Sequence, residues 1–197
     1  MLKRTCPLLS SASVRRSLYL SLVKSQRCYA TLVWSPAYVT LNPKVEQVQR
    51  RSSRWILRTR KDESSYKERL ILLDLLPLSL ERELKDLIFC YKCLYCSTDL
   101  VVRNYVSFVS HDRRRLSNSF NLRTGPFCKT SSFQASYFNR IVKLWNYVCA
   151  LAPPTSFSSP TAFQLFVRKL MSTHLSRVYE IKYPCTWTLV HTSPCHS

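Results

Sequence analysis

The sequence predicts a mainly α fold: a helical, bundle-like arrangement of about six helices, with an irregular middle segment and a loose C-terminal tail. Apolar residues recur at helical spacing in six separate segments. The 197-residue chain holds a single glycine, Gly125, and long segments rich in Leu and Arg, both good helix formers. Its apolar fraction of 46% is that of a globular protein, large enough to fill a real core.

The first helix is expected from about Ala12 to Arg27, with Val14, Leu18, Leu22 and Val23 on its apolar side. Pro36 and Pro43 bracket a connection, and Pro43 is acceptable in the first turn of the second helix. A third helix opens at Ser65, whose spacing to Glu68 makes a capping box, and stops before Pro77. The fourth runs from about Ser79 to Cys96 with a stripe of Leu80, Leu84, Leu87, Ile88, Tyr91 and Leu94. Residues 98–132 hold the run Arg113-Arg114-Arg115, an alternating stretch Leu116–Leu122 and the Gly125-Pro126 turn. A fifth helix spans about Ser132 to Ala150, with Phe138, Ile141, Val142 and Trp145 inward, and Pro153-Pro154 ends it. Ser159 caps the sixth and Pro160 starts it, and Phe163, Phe166, Val167, Leu170 and Met171 follow the i, i+3, i+4, i+7, i+8 pattern.

Charge sets this chain apart. Thirty Lys and Arg against eleven Asp and Glu leave +19, an excess that goes with a polyanionic partner. No acid precedes Glu46, none falls between Arg113 and Tyr179, and most gather between Asp62 and Asp86. The second helix, 45–61, concentrates the base. On a wheel of about 100° per residue starting at Val45, the positions Val45, Val48, Ser52, Trp55 and Ile56 form one side. Arg50, Arg51, Arg54 and Arg58 fall on the other, between roughly 140° and 240°. A docked helix of that kind presents a row of guanidinium groups, which match phosphate oxygens in charge and fork geometry.

Several chemistries are excluded. A phosphate-cradling loop, a dinucleotide-binding turn and a nucleophile elbow each need more than one glycine. The histidines have no Ser or Cys partner spacing for nucleophilic catalysis. Cys90, Cys93 and Cys96 lie in a helical pattern, where cysteine acts as a small hydrophobe; Cys185, His191, Cys195 and His196 have a looser zinc-compatible spacing. No cofactor or small-molecule substrate is expected. Apolar runs near Met1 are broken by Arg15, Arg16 and Lys24, so neither signal peptide nor membrane span is expected. Nine cysteines then read as free thiols of an intracellular, reducing compartment. Nucleus or cytoplasm is favoured over mitochondrion, although the acid-free first 45 residues share the composition of a presequence.

Six blocks, in order, carry a resemblance. They are Arg16–Ser25 leading into Val33-Trp34-Ser35-Pro36; Glu46 with Val48–Arg51 and Arg54-Trp55-Ile56; Tyr66–Leu70; Leu75–Leu78 with Glu81-Arg82 and Tyr91-Lys92; Phe138–Asn146; and Phe163 with Leu170. Over roughly residues 14 to 175 the chain resembles the C-terminal region of the reverse transcriptase of a non-LTR retrotransposon of the jockey-like and chicken-repeat-like group. The resemblance implies a post-palm thumb and its extension, held against a template–primer duplex. Residues 1–97 would then be the thumb-like region, 98–132 a linker with the Arg run, 133–182 a C-terminal helical pair and 183–197 the tail. Such enzymes polymerise with metal-holding aspartates that include an adjacent pair. Here Asp62, Asp74, Asp86, Asp99 and Asp112 are all isolated, so no polymerase activity is expected of this chain.

The expected partner is therefore RNA or an RNA–DNA duplex, bound through its phosphates without sequence preference. Expected contacts are Arg50, Arg51, Arg54, Arg58 and Lys61, a clamp of Arg113, Arg114 and Arg115, and a second contact from Arg140 and Lys143. The alternatives are a basic host assembly protein, such as an organelle ribosome component with a targeting segment, and a non-functional element relic.

Overall fold

The structure is a computed structural model that describes residues 11–33, 41–60, 63–96, 106–109, 120–123, 130 and 136–177. Of these residues 73% are helical, in six helices, and the fold is mainly α. Helix α1 is one continuous run made of Ala12–Leu18, a π-helical stretch Tyr19–Lys24 and Ser25–Arg27. The others are α2 (Leu41–Leu57), α3 (Tyr66–Leu72), α4 (Leu78–Tyr95), α5 (Tyr137–Leu151) and α6 (Pro160–Arg177). A short 3-10 turn, Pro154–Ser156, joins the last two.

The local signals work where they involve adjacent residues. The capping box of α3 is complete: Ser65 Oγ accepts from the Glu68 amide at 3.2 Å and Glu68 returns an acceptor to the Ser65 amide at 2.9 Å. Ser159 Oγ accepts from the Ala162 amide at 3.2 Å ahead of α6. Helix α4 differs. Its N-cap is Pro77, which has no capping side chain, and the cap comes from α2, where Glu46 accepts from the Leu78 amide at 3.1 and 3.2 Å.

With so little glycine, other residues take the left-handed turns. Asp74 (φ 48°) follows α3, and the Leu75 amide bonds back to the Leu70 carbonyl at 2.9 Å while the Asp74 amide reaches Ile71 at 3.1 Å. Arg58 (φ 55°) does the same after α2, with the Thr59 amide on the Arg54 carbonyl at 3.2 Å. Ala30 (φ 48°) is the third. An L-residue in this region costs roughly 1–2 kcal/mol, partly offset by lower unfolded-state entropy than glycine's. Ala30→Gly is therefore expected to stabilise the protein by about 0.5 kcal/mol in urea unfolding; a loss of stability would show that the Ala30 methyl group packs usefully.

Two cores form. The larger joins α4, α5 and α6 through Leu80, Leu84, Leu87, Tyr91, Ile141, Val142, Trp145, Phe163, Val167 and Met171. Tyr91 stacks on Phe163 at 4.5 Å between ring centroids, and Trp145 is fully buried with its Nε1 donating to the Phe120 carbonyl at 2.9 Å. An isolated antiparallel bridge, Phe108 to Leu122, lies against α5, where the Asn146 amide both donates to and accepts from the Leu122 backbone at 3.0 and 2.7 Å. The smaller core is Tyr19, Ile56, Leu70, Leu73, Leu75 and Leu175, from α1, α2, α3, the turn after it and the end of α6. The larger core thus crosses the expected division between 1–97 and 133–182, because α4 packs on both helices of the C-terminal pair.

The buried faces of α1 and α2 differ from the expected ones. In α1, Val14 and Leu22 are about half exposed, and Arg15 and Tyr19 are buried instead. The i→i+5 bonding of its π stretch breaks the 3.6 spacing on which the expected stripe rested. In α2 the fully buried residues are Glu46, Gln49, Ser53 and Ile56, while Val45, Val48, Ser52 and Trp55 are only half-buried. The inner face is turned about a quarter of a revolution, roughly 90°, from the apolar stripe.

Candidate nucleic-acid interface

Polar bonds hold α2 in place. Gln49 accepts from Tyr19 Oη at 3.0 Å and donates to the Leu76 carbonyl at 2.8 Å. Glu46 accepts from Tyr66 Oη besides capping α4. Ser53 accepts from Arg69 Nε at 3.2 Å, and Arg15 Nε donates to the Ile56 carbonyl at 2.8 Å. Buried polar groups fully paired in this way fix one orientation of a helix more sharply than apolar contact does. The opposite side of α2 is thereby set outward.

On that side Arg51 and Arg58 are exposed and Arg54 is half-buried. Arg50 is half-buried with its guanidinium over the Tyr66 ring, 4.6 Å from the centroid. Among the described residues neither Arg51 nor Arg54 makes an ion pair. Several of the acids gathered in the sequence near this helix are used elsewhere, while Glu63 accepts from the Arg60 amide at 2.9 Å just beyond the row. Glu46 and Glu68 cap helices, Glu81 pairs with Lys24 at 3.0 Å, and Asp74 pairs with Arg168 at 3.3 Å and Arg16 at 3.9 Å. Like charge crowds behind the row as well. Burial, then the neighbouring Arg58, lowers the pKa of Arg15; burial, then Arg54, lowers that of Arg69. All remain cations, since guanidinium is not deprotonated in proteins.

At the C-terminal end of the row lies a cavity of about 530 Å³. Leu57, Ile71 and Leu72 line it together with Thr59, Ser64, Glu68 and Arg69. Thr59 Oγ1 is buried with no hydrogen-bond partner among the described residues.

The remaining expected contacts do not join this row. Arg140 is turned inward: its Nε and Nη2 clamp the Asp86 carboxylate at 2.8 and 3.2 Å, and Nη2 reaches the Thr31 and Leu32 carbonyls at 3.3 Å. It is a structural ion pair rather than a phosphate contact, because Asp86 is buried and needs a counter-charge. Lys143 is exposed on α5. Lys61, Arg113, Arg114, Arg115, Cys185, His191, Cys195 and His196 lie outside the described residues. Cys90 and Cys149 pack in the larger core, and burial pushes the Cys149 thiol up to about 12. Among the described residues no three His, Cys, Asp or Glu side chains converge on a metal position. None of the described helices is long and apolar enough to cross a membrane.

Sequence reasoning missed Arg15 and Arg69, whose charges crowd the row from beneath. Their only signal was position, since each occupies an inward-facing site on a short amphipathic helix. No significant match to this chain is found among protein-family models, curated proteins or solved structures.

Proposed function

We propose that this protein binds RNA or an RNA–DNA duplex through the phosphate backbone, with Arg51, Arg54 and Arg58 as its principal contacts. The observation that carries the reading is the arginine row itself: cationic and outward, on a helix locked by its buried polar face. The ordered blocks that resemble the post-palm region of a non-LTR retrotransposon reverse transcriptase support the same partner. The role is to grip nucleic acid, and no catalytic step is assigned to these residues. From Arg51 to Arg58 the row extends about 10 Å along the helix axis, enough to meet about three successive phosphates of one strand.

Fluorescence anisotropy with a blunt RNA–DNA hybrid tests this. Affinity should fall steeply with salt, and Arg51→Gln/Arg54→Gln/Arg58→Gln should flatten the log Kd against log salt slope by about 3 and weaken binding tenfold or more near 0.1 M salt, on the order of one unit of slope per lost contact. Helicity should be unchanged. An affinity indifferent to salt, or to the three substitutions, would overturn the proposal.

A further inference from the structure

The geometry points to a pocket for one unpaired nucleobase at the end of the arginine row, so that this protein grips a strand carrying a bulged base more tightly than a continuous duplex. The inference rests on the backbone-binding reading and adds to it what the cavity beside α2 is for.

Continuity is the first argument. Arg58 stands between Leu57 and Thr59 in the chain, and both of those residues line the cavity. The left-handed conformation of Arg58 (φ 55°) ends α2 there and turns the chain, so the last cation of the row sits at the cavity's edge. A strand whose phosphates follow Arg51, Arg54 and Arg58 is led to the opening.

Chemistry is the second. A base leaving its stack seeks flat or apolar surface for its faces and polar groups for its edge. Leu57, Ile71 and Leu72 supply the apolar surface. Arg69, buried and packed over the Tyr66 ring, holds one wall in place: its Nε donates to Ser53 Oγ at 3.2 Å, its Nη1 bonds the Ser64 carbonyl, and Nη1 also reaches Ser64 Oγ at 3.4 Å. Thr59 Oγ1, buried and unpartnered among the described residues, can donate to or accept from a base edge.

Exposure is the third. Leu72 is 73% exposed and Ile71 53%, two neighbouring aliphatic side chains facing solvent at the end of the arginine row, with Glu68 also on the cavity wall. A free apolar surface so placed is covered best by a ligand that is anionic in its backbone and apolar in its faces, and a nucleotide is both.

The test compares a blunt RNA–DNA hybrid with the same hybrid carrying a one-nucleotide bulge in the RNA strand. Wild-type protein should prefer the bulged ligand by about tenfold, which corresponds to ~1.4 kcal/mol. Ile71→Ser/Leu72→Ser, two changes at exposed positions, should remove that preference while blunt-hybrid affinity and its salt slope stay at wild-type values. Equal wild-type affinity for the two hybrids overturns the pocket and leaves backbone binding standing. A preference that survives in the variant overturns it too. Failure to bind either hybrid overturns both readings. A dimer in sedimentation equilibrium that the variant abolishes would mean that a second copy covers the cavity, again overturning the proposal.

Discussion

Arg140→Ala should destabilise the protein by about 3 kcal/mol and lower its melting temperature by on the order of 10 °C. The cause is Asp86. Its side chain is 5% exposed, and burial raises its pKa against the opposing pull of the Arg140 guanidinium. Removing Arg140 leaves a buried carboxylate with two empty hydrogen-bond positions and strips the Thr31 and Leu32 carbonyls of a donor. Arg140→Lys should recover only part of the loss, because a single ammonium cannot reproduce the fork. Asp86→Leu/Arg140→Met, which removes both charges, should be considerably more stable than Arg140→Ala or Asp86→Ala. Urea unfolding measures all four. A phosphate contact would behave oppositely, with weakened nucleic-acid binding and an unmoved melting temperature, and that outcome would sink the structural assignment.

Glu46→Ala should be nearly as damaging, at about 2–4 kcal/mol, since it leaves the Leu78 amide and the Tyr66 hydroxyl buried without an acceptor. Glu46→Gln separates shape from charge. Burial raises the Glu46 pKa above the ordinary 4.5, with the bonds from Tyr66 and Leu78 and the charges of Arg82 and Arg50 opposing it. The folded protein therefore holds that proton more tightly than the unfolded chain. This contribution to stability is whole below about pH 4.5 and declines as pH rises through the raised value. Glutamine mimics the protonated form at every pH. The stability difference, wild type minus Glu46→Gln, should thus fall between pH 4.5 and 7, and a difference that is flat or rises with pH would contradict the burial-dominated shift. His174 runs the other way in both proteins: burial lowers its pKa below 6.5, so its contribution is lost as pH falls from there, and it cancels in the difference.

What could be read from the chain followed from the range of the interactions involved. The capping box at Ser65, the serine and proline that start α6, and the stripes of α4 and α6 are local, and periodicity found them within a residue or two. The burial of Trp145 follows from the same period. The face of α2 was not readable. Its half-buried valines obey the helical period, but Glu46, Gln49 and Ser53 went inside because Leu78, Tyr19, Leu76 and Arg69 wait there with unmatched polar groups, and those partners are 16 to 32 residues away. The inward turn of Arg140 is equally hidden from local patterning, since its counter-charge is 54 residues distant. Arg51 keeps its outward place because rotating the helix by a quarter-turn still leaves a residue near 240° facing solvent, and Arg58 is exposed in the left-handed turn that ends the helix.

The end of α6 has a consequence for the order of assembly. Leu175 completes the smaller core, Lys67 donates to the Ser176 carbonyl across 109 residues, and Arg168 bonds the Asp74 carbonyl across 94. With the Arg140 bonds to Thr31 and Leu32, which span 109 and 108 residues, these contacts close the longest loops among the bonds described, and loop closure of that span delays folding. During synthesis α1, α2 and α3 leave the ribosome well before the helix that finishes their core. The first three helices thus wait with their shared core open on one side until the last turn of α6 arrives to close it.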